Sequence, residues 1–246
     1  MPIRRRKRPK PTIDPLSPRL VNEPNGTVFI DGGALTAGEP VALGIDPSLT
    51  GTGMAMVTAS GAWAAWRLHT QTKVDKQGRG QPDRLAEIDR WLTWHFQTWR
   101  LRRIQVGHIV KEGPSFGSKG RGHDIGELHG VISLALYRAF PTPLKYPTVV
   151  APQSLKKFIL GSANAEKSQI LKTVYQRWGV DLPDDNMADA YGLAQVGLAI
   201  MGEEVPYAFQ QDVLNALKEH TQWAQPPTNT TSPSPSSRRK RSPSSR

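Results

Sequence analysis

The sequence predicts one mixed α/β domain, spanning about residues 40–222, between two basic tails. Three observations carry that reading. Strand-like apolar segments come first and run as a meander. Segments with apolar residues three and four apart then alternate with short strands, the signature of helices laid on a sheet. Composition also changes abruptly at both ends, to Pro, Arg and Gly before residue 40 and to Pro, Ser, Thr and Arg after residue 224.

Taken in order, Met1 to about Pro40 reads as a mostly disordered arm (1–39) with one short apolar piece, Val28–Ile30, suited to an edge strand. In the stretch VALGIDPSLTGTGMAMV, Val41, Leu43 and Ile45 lead to Asp46. Thr50, Gly51, Thr52 and Gly53 turn the chain, and Met54–Val57 return it as a second strand. Ala62–Leu68 continues the meander after a turn at Ser60–Gly61, and Thr70–Gln81 is polar enough to be a mobile loop. Pro82–Arg103 is helical in period, through Leu85, Ile88, Leu92, Phe96 and Trp99, with Arg100, Arg102 and Arg103 at the end that suits the helix dipole. Its tryptophans Trp91, Trp94 and Trp99 suit a core or an interface.

Ile104–Lys111 is a strand ending in Glu112, followed by the glycine-rich loop EGPSFGSKGRGHD. Asp124–Phe140 places Ile125, Leu128, Ile132 and Leu136 on one helical face. Tyr146–Val150 is a short strand, Pro152–Leu160 and Ala165–Trp178 are helical, and a last helix runs from about Asp185 to Met201. Five strands result, and residues 223–246 form a second disordered tail.

The net charge of +11 is concentrated at the ends. Six basic residues in 1–10 and five in 225–246 account for all of it, so the body is formally neutral and any polyanion site on it is a local patch. Such tails read as solvated arms that add sequence-independent phosphate affinity. The absence of cysteine excludes disulfides, thiolate zinc sites and cysteine nucleophiles, and suits a reducing interior. No apolar run approaches a membrane span and no secretory leader is recognisable, so an intracellular, cytoplasmic protein is expected.

Three carboxylate positions stand out. Asp46 follows the first strand and Glu112 ends another. In DLPDDNMADAYGLA, Asp185, Asn186 and Asp189 stand at i, i+1 and i+4, with Met187, Tyr191 and Ala194 opposite. Asp46 by itself is equally a turn-capping residue, and Asp184 and Asp185 after Pro183 are ordinary helix-start acids. Asp189 lies a full turn inside the helix among apolar neighbours, where a charge is expensive without a partner. Oxygen donors converging from two strands and a helix would make a hard-cation site for Mg2+ or Mn2+.

The GIDPSLTGTG hairpin, the strand-end Glu with its glycine-rich loop, SLKKFILGSANAEKSQIL and DNMADAYGLA together resemble the RuvC-type Holliday junction resolvases of the RNase H-like superfamily, in particular the forms found in bacteriophages. The resemblance covers about Leu43 to Ala199. It implies an RNase H-like mixed five-stranded sheet flanked by helices, and a homodimer that resolves four-way DNA junctions by Mg2+-dependent phosphodiester hydrolysis, with Mn2+ able to substitute. It makes Asp46, Glu112 and Asp189 the metal ligands, with Asp185 and Asn186 as further candidates, and puts Lys156 and Lys167 near the scissile phosphate and the DNA backbone. Phe116 is the candidate for an aromatic at the junction centre, one position offset from the family's. Two solvated helix lysines and a Phe tucked under its own loop are the plain alternatives. Lys119, Arg121, Arg100, Arg102 and Arg103 would form the local basic patch, and the helix with Gly126 and Gly130 would allow close approach of a second copy.

The family usually carries an acid or a His three residues before the helix acid, where this chain has Asn186, so the fourth ligand stays open. Two other classes are therefore kept beside the nuclease: a junction-binding protein of the same fold without catalysis, and a small kinase of the actin-like ATPase superfamily. The latter calls for a second phosphate hairpin that the later half lacks. GSANAEKS is no phosphate-binding loop, because Glu166 stands where that motif needs glycine. Among the histidines, His123 in the glycine-rich loop is the one to examine as a ligand, with a plain surface residue as the alternative.

Overall fold

The computed structural model describes residues 21–22, 27–33, 35, 38–114, 122–164, 166 and 168–221. A mixed sheet carries strands β1 (Val21–Asn22), β2 (Thr27–Asp31), β3 (Val41–Asp46), β4 (Gly53–Thr58), β5 (Trp63–Leu68), β6 (Val106–Glu112) and β7 (Thr148–Val150). Their order across the sheet is β1-β2-β5-β4-β3-β6-β7, with β3–β6 and β6–β7 parallel and the other neighbours antiparallel. The helices are α1 (Gln81–Leu101), α2 (Gly122–Ala139), α3 (Pro152–Leu160), α4 (Gln169–Trp178), α5 (Asp185–Ile200) and α6 (Ala208–Thr221).

Alternation along the strands sorts their side chains into two cores. Val41, Leu43 and Ile45 of β3, with Met54, Met56, Trp66 and Ile109, pack against Ile88, Leu92, Phe96 and Trp99 of α1 and Leu128, Ile132 and Leu136 of α2. Ala42, Ala55, Ala65 and Val110 face the other way, onto α5, which α3, α4 and α6 cover. The last helix is thus buried on nearly every side from Met187 to Leu198, the side of Asp189 as well as that of Met187, Tyr191 and Ala194. Small residues permit this. A Cβ on Gly44 would fall 2.0 Å from the Ala190 carbonyl oxygen, and one on Gly192 would fall 2.3 Å from Ile159 Cδ1.

The sheet has seven strands where five were expected, and the boundary at residue 40 cuts through it. The segment assigned to the arm supplies β1 and β2. β2 is held by contacts far away in sequence: Phe29 stacks on Trp66 with ring centroids 5.3 Å apart, and Trp91 Nε1 donates to Thr27 Oγ1 at 3.0 Å. The segment expected as a mobile loop is anchored at its start. Thr70 Oγ1 donates to the Leu49 carbonyl, and Glu87 accepts from the backbone N–H groups of Gln71 and Thr72. Helix α6 was not foreseen; it docks on α3 through a buried bond from Gln210 Nε2 to the Phe158 carbonyl and through Lys157–Asp212.

Candidate metal centre

β3 and β6 run parallel with Ile45 opposite Lys111, so Asp46 and Glu112 are the next residues in register. Both continue the side of the strand that carries Ala42 and Val110, and therefore point to α5. Helix α5 crosses that face with Asp189 one turn inside its start. The carboxylate oxygens of Asp46, Glu112 and Asp189 lie within 4.8 Å of one another, with Asp46 6% and Asp189 4% exposed.

Local sequence holds each acid in place. After Asp46 the turn is tied by Thr52 Oγ1, which donates to the Ser48 carbonyl, and by Gly51 N–H, which donates to Ser48 Oγ at 3.2 Å. Gly53 stands opposite Asp46, and a Cβ there would fall 2.4 Å from the Asn186 carbonyl oxygen, so the glycine lets the first turn of α5 lie on the hairpin. Asp184 caps α5, its Oδ1 accepting from Met187 N–H at 3.0 Å, as an acid at that position is expected to do. Its other oxygen, Oδ2, pairs with Arg67 Nη1 at 3.3 Å.

Three acids this close, two of them buried and Glu112 half-buried, repel one another as anions, and an all-oxygen donor set of that kind suits a hard divalent cation. The donor set thus fits Mg2+ or Mn2+. Asp185, half-buried in the same helical turn, does not join the gathered carboxylates. Asn186 lies against the turn, with its Nδ2 2.6 Å from where a Gly51 Cβ would be.

The adjacent cation, Lys111, points to the opposite face. It is buried there, with Nζ 3.2 Å from His129 Nδ1 and 3.3 Å from Ser133 Oγ of α2. Burial lowers the pKa of Lys111. Burial, and then the Lys111 charge, push His129 down to about 4. Nothing in the local pattern singles out either Lys111 or Arg67; alternation fixes their faces once the strands are known, but not their partners.

Lys156 is half-buried on α3, which starts two residues after Val150, the strand partner of Glu112. Arg100, Arg102 and Arg103 are exposed but are not brought to the acids. They precede β6, whose start pairs with Val41, so they lie at the other end of the sheet, roughly 20 Å along the strands from Glu112. Phe116, Lys119, Arg121 and Lys167 lie outside the described residues, as do both basic tails. His123 forms a second close group with Asp124 and Glu127 in the first turn of α2, its Nδ1 3.4 Å from Glu127 Oε1. That group is largely exposed, as helix-start acids commonly are.

No protein-family model matches the chain. It is 27% identical over 161 residues to the crossover junction endodeoxyribonuclease RuvC of Sphingopyxis alaskensis, a match covering 65% of this chain and 94% of that protein. It is 25% identical over 163 residues to RuvC of Prochlorococcus marinus, covering 64% and 97%. Among solved structures, Thermus thermophilus RuvC in complex with a Holliday junction substrate superposes with a TM-score of 0.50 at 19% identity, over 66% of this chain and 96% of that one. The fold is therefore the RNase H-like mixed sheet flanked by helices that the resemblance implies. In sequence the chain is similar to RuvC-type resolvases at about 25% identity over most of its length.

Proposed function

We propose that this chain is a Mg2+-dependent endodeoxyribonuclease that resolves four-way (Holliday) or related branched DNA junctions. The observation that carries the reading is the gathering of Asp46, Glu112 and Asp189, from two strands and a helix, within 4.8 Å. A divalent cation held there supplies positive charge at the reacting phosphate and makes water a competent nucleophile near neutral pH. The chain's own part is to fix three oxygens on rigid elements, so that little reorganisation is needed when substrate arrives. Water attacks phosphorus in line and the bond to the 3′ oxygen breaks. A proton goes to that oxygen, leaving 5′-phosphate and 3′-hydroxyl ends with no covalent enzyme intermediate.

Lys156 and Lys167 are assigned to the DNA backbone near the scissile phosphate, Phe116 to stacking on a splayed base, and Lys119 and Arg121 to the patch beside it. Two active sites on two opposed strands call for a homodimer, and α2 is its proposed interface. A Cβ on Gly126 or Gly130 would meet nothing within 4 Å among the described residues, and Leu134 and Tyr137 are 47% and 55% exposed on the same helix. The bacteriophage-type assignment rests on the four motifs in their order. Among the described residues no helix is long and apolar enough to cross a membrane, and the site of action proposed is the cytoplasm, on DNA.

The test is cleavage of a four-way junction against duplex and single strands, with and without Mg2+. Symmetrical Mg2+-dependent cuts confined to the junction are expected; equal cutting of plain duplex, or none of the junction, overturns the reading. Asn186 favours a second reading, a junction-binding protein without catalysis. Tight Mg2+-independent junction binding with no cutting in Mg2+ or Mn2+ would establish it.

A further inference from the structure

Arg67 is the one lysine or arginine that any described strand sends to the α5 side of the sheet. Trp63 and Ala65 precede it on that face, whereas Lys111, the other strand cation, points away. It also stands in the row of the acids. Arg67 pairs with Gly53, and Gly53 pairs with Asp46. No side chain on Gly53 separates the two, and their backbones are two strand spacings apart, about 10 Å.

The guanidinium is only partly used. Among the described residues Nη1 makes a single contact, with Asp184 Oδ2 at 3.3 Å, and Nε is buried with no hydrogen-bond partner; the side chain is 27% exposed. Asp184 itself already serves as the cap of α5. A planar fork of five N–H donors engaged at one point retains the capacity to grip a phosphate through two parallel bonds. Its stem runs beside Gly51, 3.8 Å from where a Cβ would sit, so the turn after Asp46 leaves the side chain room.

We propose that Arg67 is a substrate-binding residue of this centre, its guanidinium taking the phosphate next to the scissile one on the strand being cut while Asp184 holds it in line with Asp46. This rests on the nuclease reading above. In that role Arg67 fixes the register of the cut strand over the carboxylates. It also supplies a positive group on the sheet face where Asn186 leaves the acid cluster with three carboxylates rather than four.

The experiment uses the full chain, R67Q and R67K, and a four-way junction carrying single neutral methylphosphonate linkages around the cut site. Binding is measured without divalent metal over a range of salt, and cleavage is measured in Mg2+. R67Q is expected to weaken junction binding about 10-fold and to reduce the salt slope by about 1, as loss of one phosphate contact does. KM should rise more than kcat falls. The methylphosphonate beside the scissile linkage should cost the wild type about as much as R67Q does, and cost R67Q nothing further. Wild-type salt slope in R67Q, or penalties that simply multiply, overturns the proposal. So does a loss confined to thermal stability and matched by D184N, which makes Arg67 a clamp only. Should R67Q not fold, R67K decides: a slope kept with the methylphosphonate penalty reduced supports the contact, and an unchanged penalty refutes it. Failure of the wild type to cut any junction would instead strike the nuclease reading itself.

Discussion

Gly44 of β3 and Ala190 of α5 meet backbone to backbone, a Cβ on Gly44 falling 2.0 Å from the Ala190 carbonyl oxygen. The contact lies two residues before Asp46 and one after Asp189, so it sets the separation of the two carboxylates. Gly44→Ala should force helix and strand apart, destabilising the fold by about 1–3 kcal/mol as overpacked cores do. It should also weaken Mn2+ binding beyond what the stability loss explains. Denaturant unfolding and calorimetric metal titration measure the two effects; unchanged metal affinity in a folded variant would contradict the geometry.

Asp46→Asn and Glu112→Gln each remove a charge from the gathered acids while keeping shape. Cleavage should fall by at least about 100-fold, the scale of losing one group of an electrostatic site, while junction affinity is retained or slightly increased. A gel-shift titration run beside the cleavage assay separates binding from cutting. Normal cutting by Asp46→Asn would remove that residue from the site.

Asn186 reaches the turn at Gly51 from one helical turn before Asp189. Asn186→Asp adds a fourth carboxylate beside the three, and tighter Mg2+ binding in the absence of DNA is the expected result, read by calorimetry. Equal affinity would place residue 186 outside the metal shell.

Two histidines tie stability to pH. Burial lowers His95, enclosed by Trp66, Trp91, Trp94 and Trp99, to about 3, and His129 is lowered to about 4. Both are neutral in the fold, so the unfolded chain binds more protons below the ordinary value of 6.5. Their contribution is complete above that pH and is lost as pH falls toward 4 for His129 and 3 for His95. Burial of His95 alone predicts a loss on the order of 2 kcal/mol between pH 6.5 and 4.5. Urea unfolding across that range should show it, and His95→Phe should flatten the curve.

Among the described residues nothing lies within 4 Å of where a Cβ on Gly126 or Gly130 would be. In an isolated chain, replacing either by Ala should stabilise α2 by roughly 0.5–1 kcal/mol. If a second copy packs on that face, bulkier Gly130→Leu should dissociate it with the fold intact. Sedimentation of wild type and variant distinguishes the cases, and identical masses would place the interface elsewhere.

What local periodicity governs was legible in the residues alone. Strand ends at Asp46 and Glu112 and the helix carrying Asp189 could be read, because a two-residue repeat and a 3.6-residue repeat are properties of short segments.

Tertiary structure decided what depends on partners distant in the chain. Val28–Ile30 is a weak signal until Trp66 and Trp91 come to cover its neighbours, so the two added strands were assigned to the arm. That Arg100, Arg102 and Arg103 lie at the opposite end of the sheet from the acids follows only from the parallel pairing of β3 with β6. Arg67 and Lys111 are ordinary strand cations in the sequence. Only the packing of α5 on one face and α2 on the other joins the first to Asp184 beside the acids and buries the second against His129, because side-chain surroundings are set by long-range contacts that no local pattern encodes.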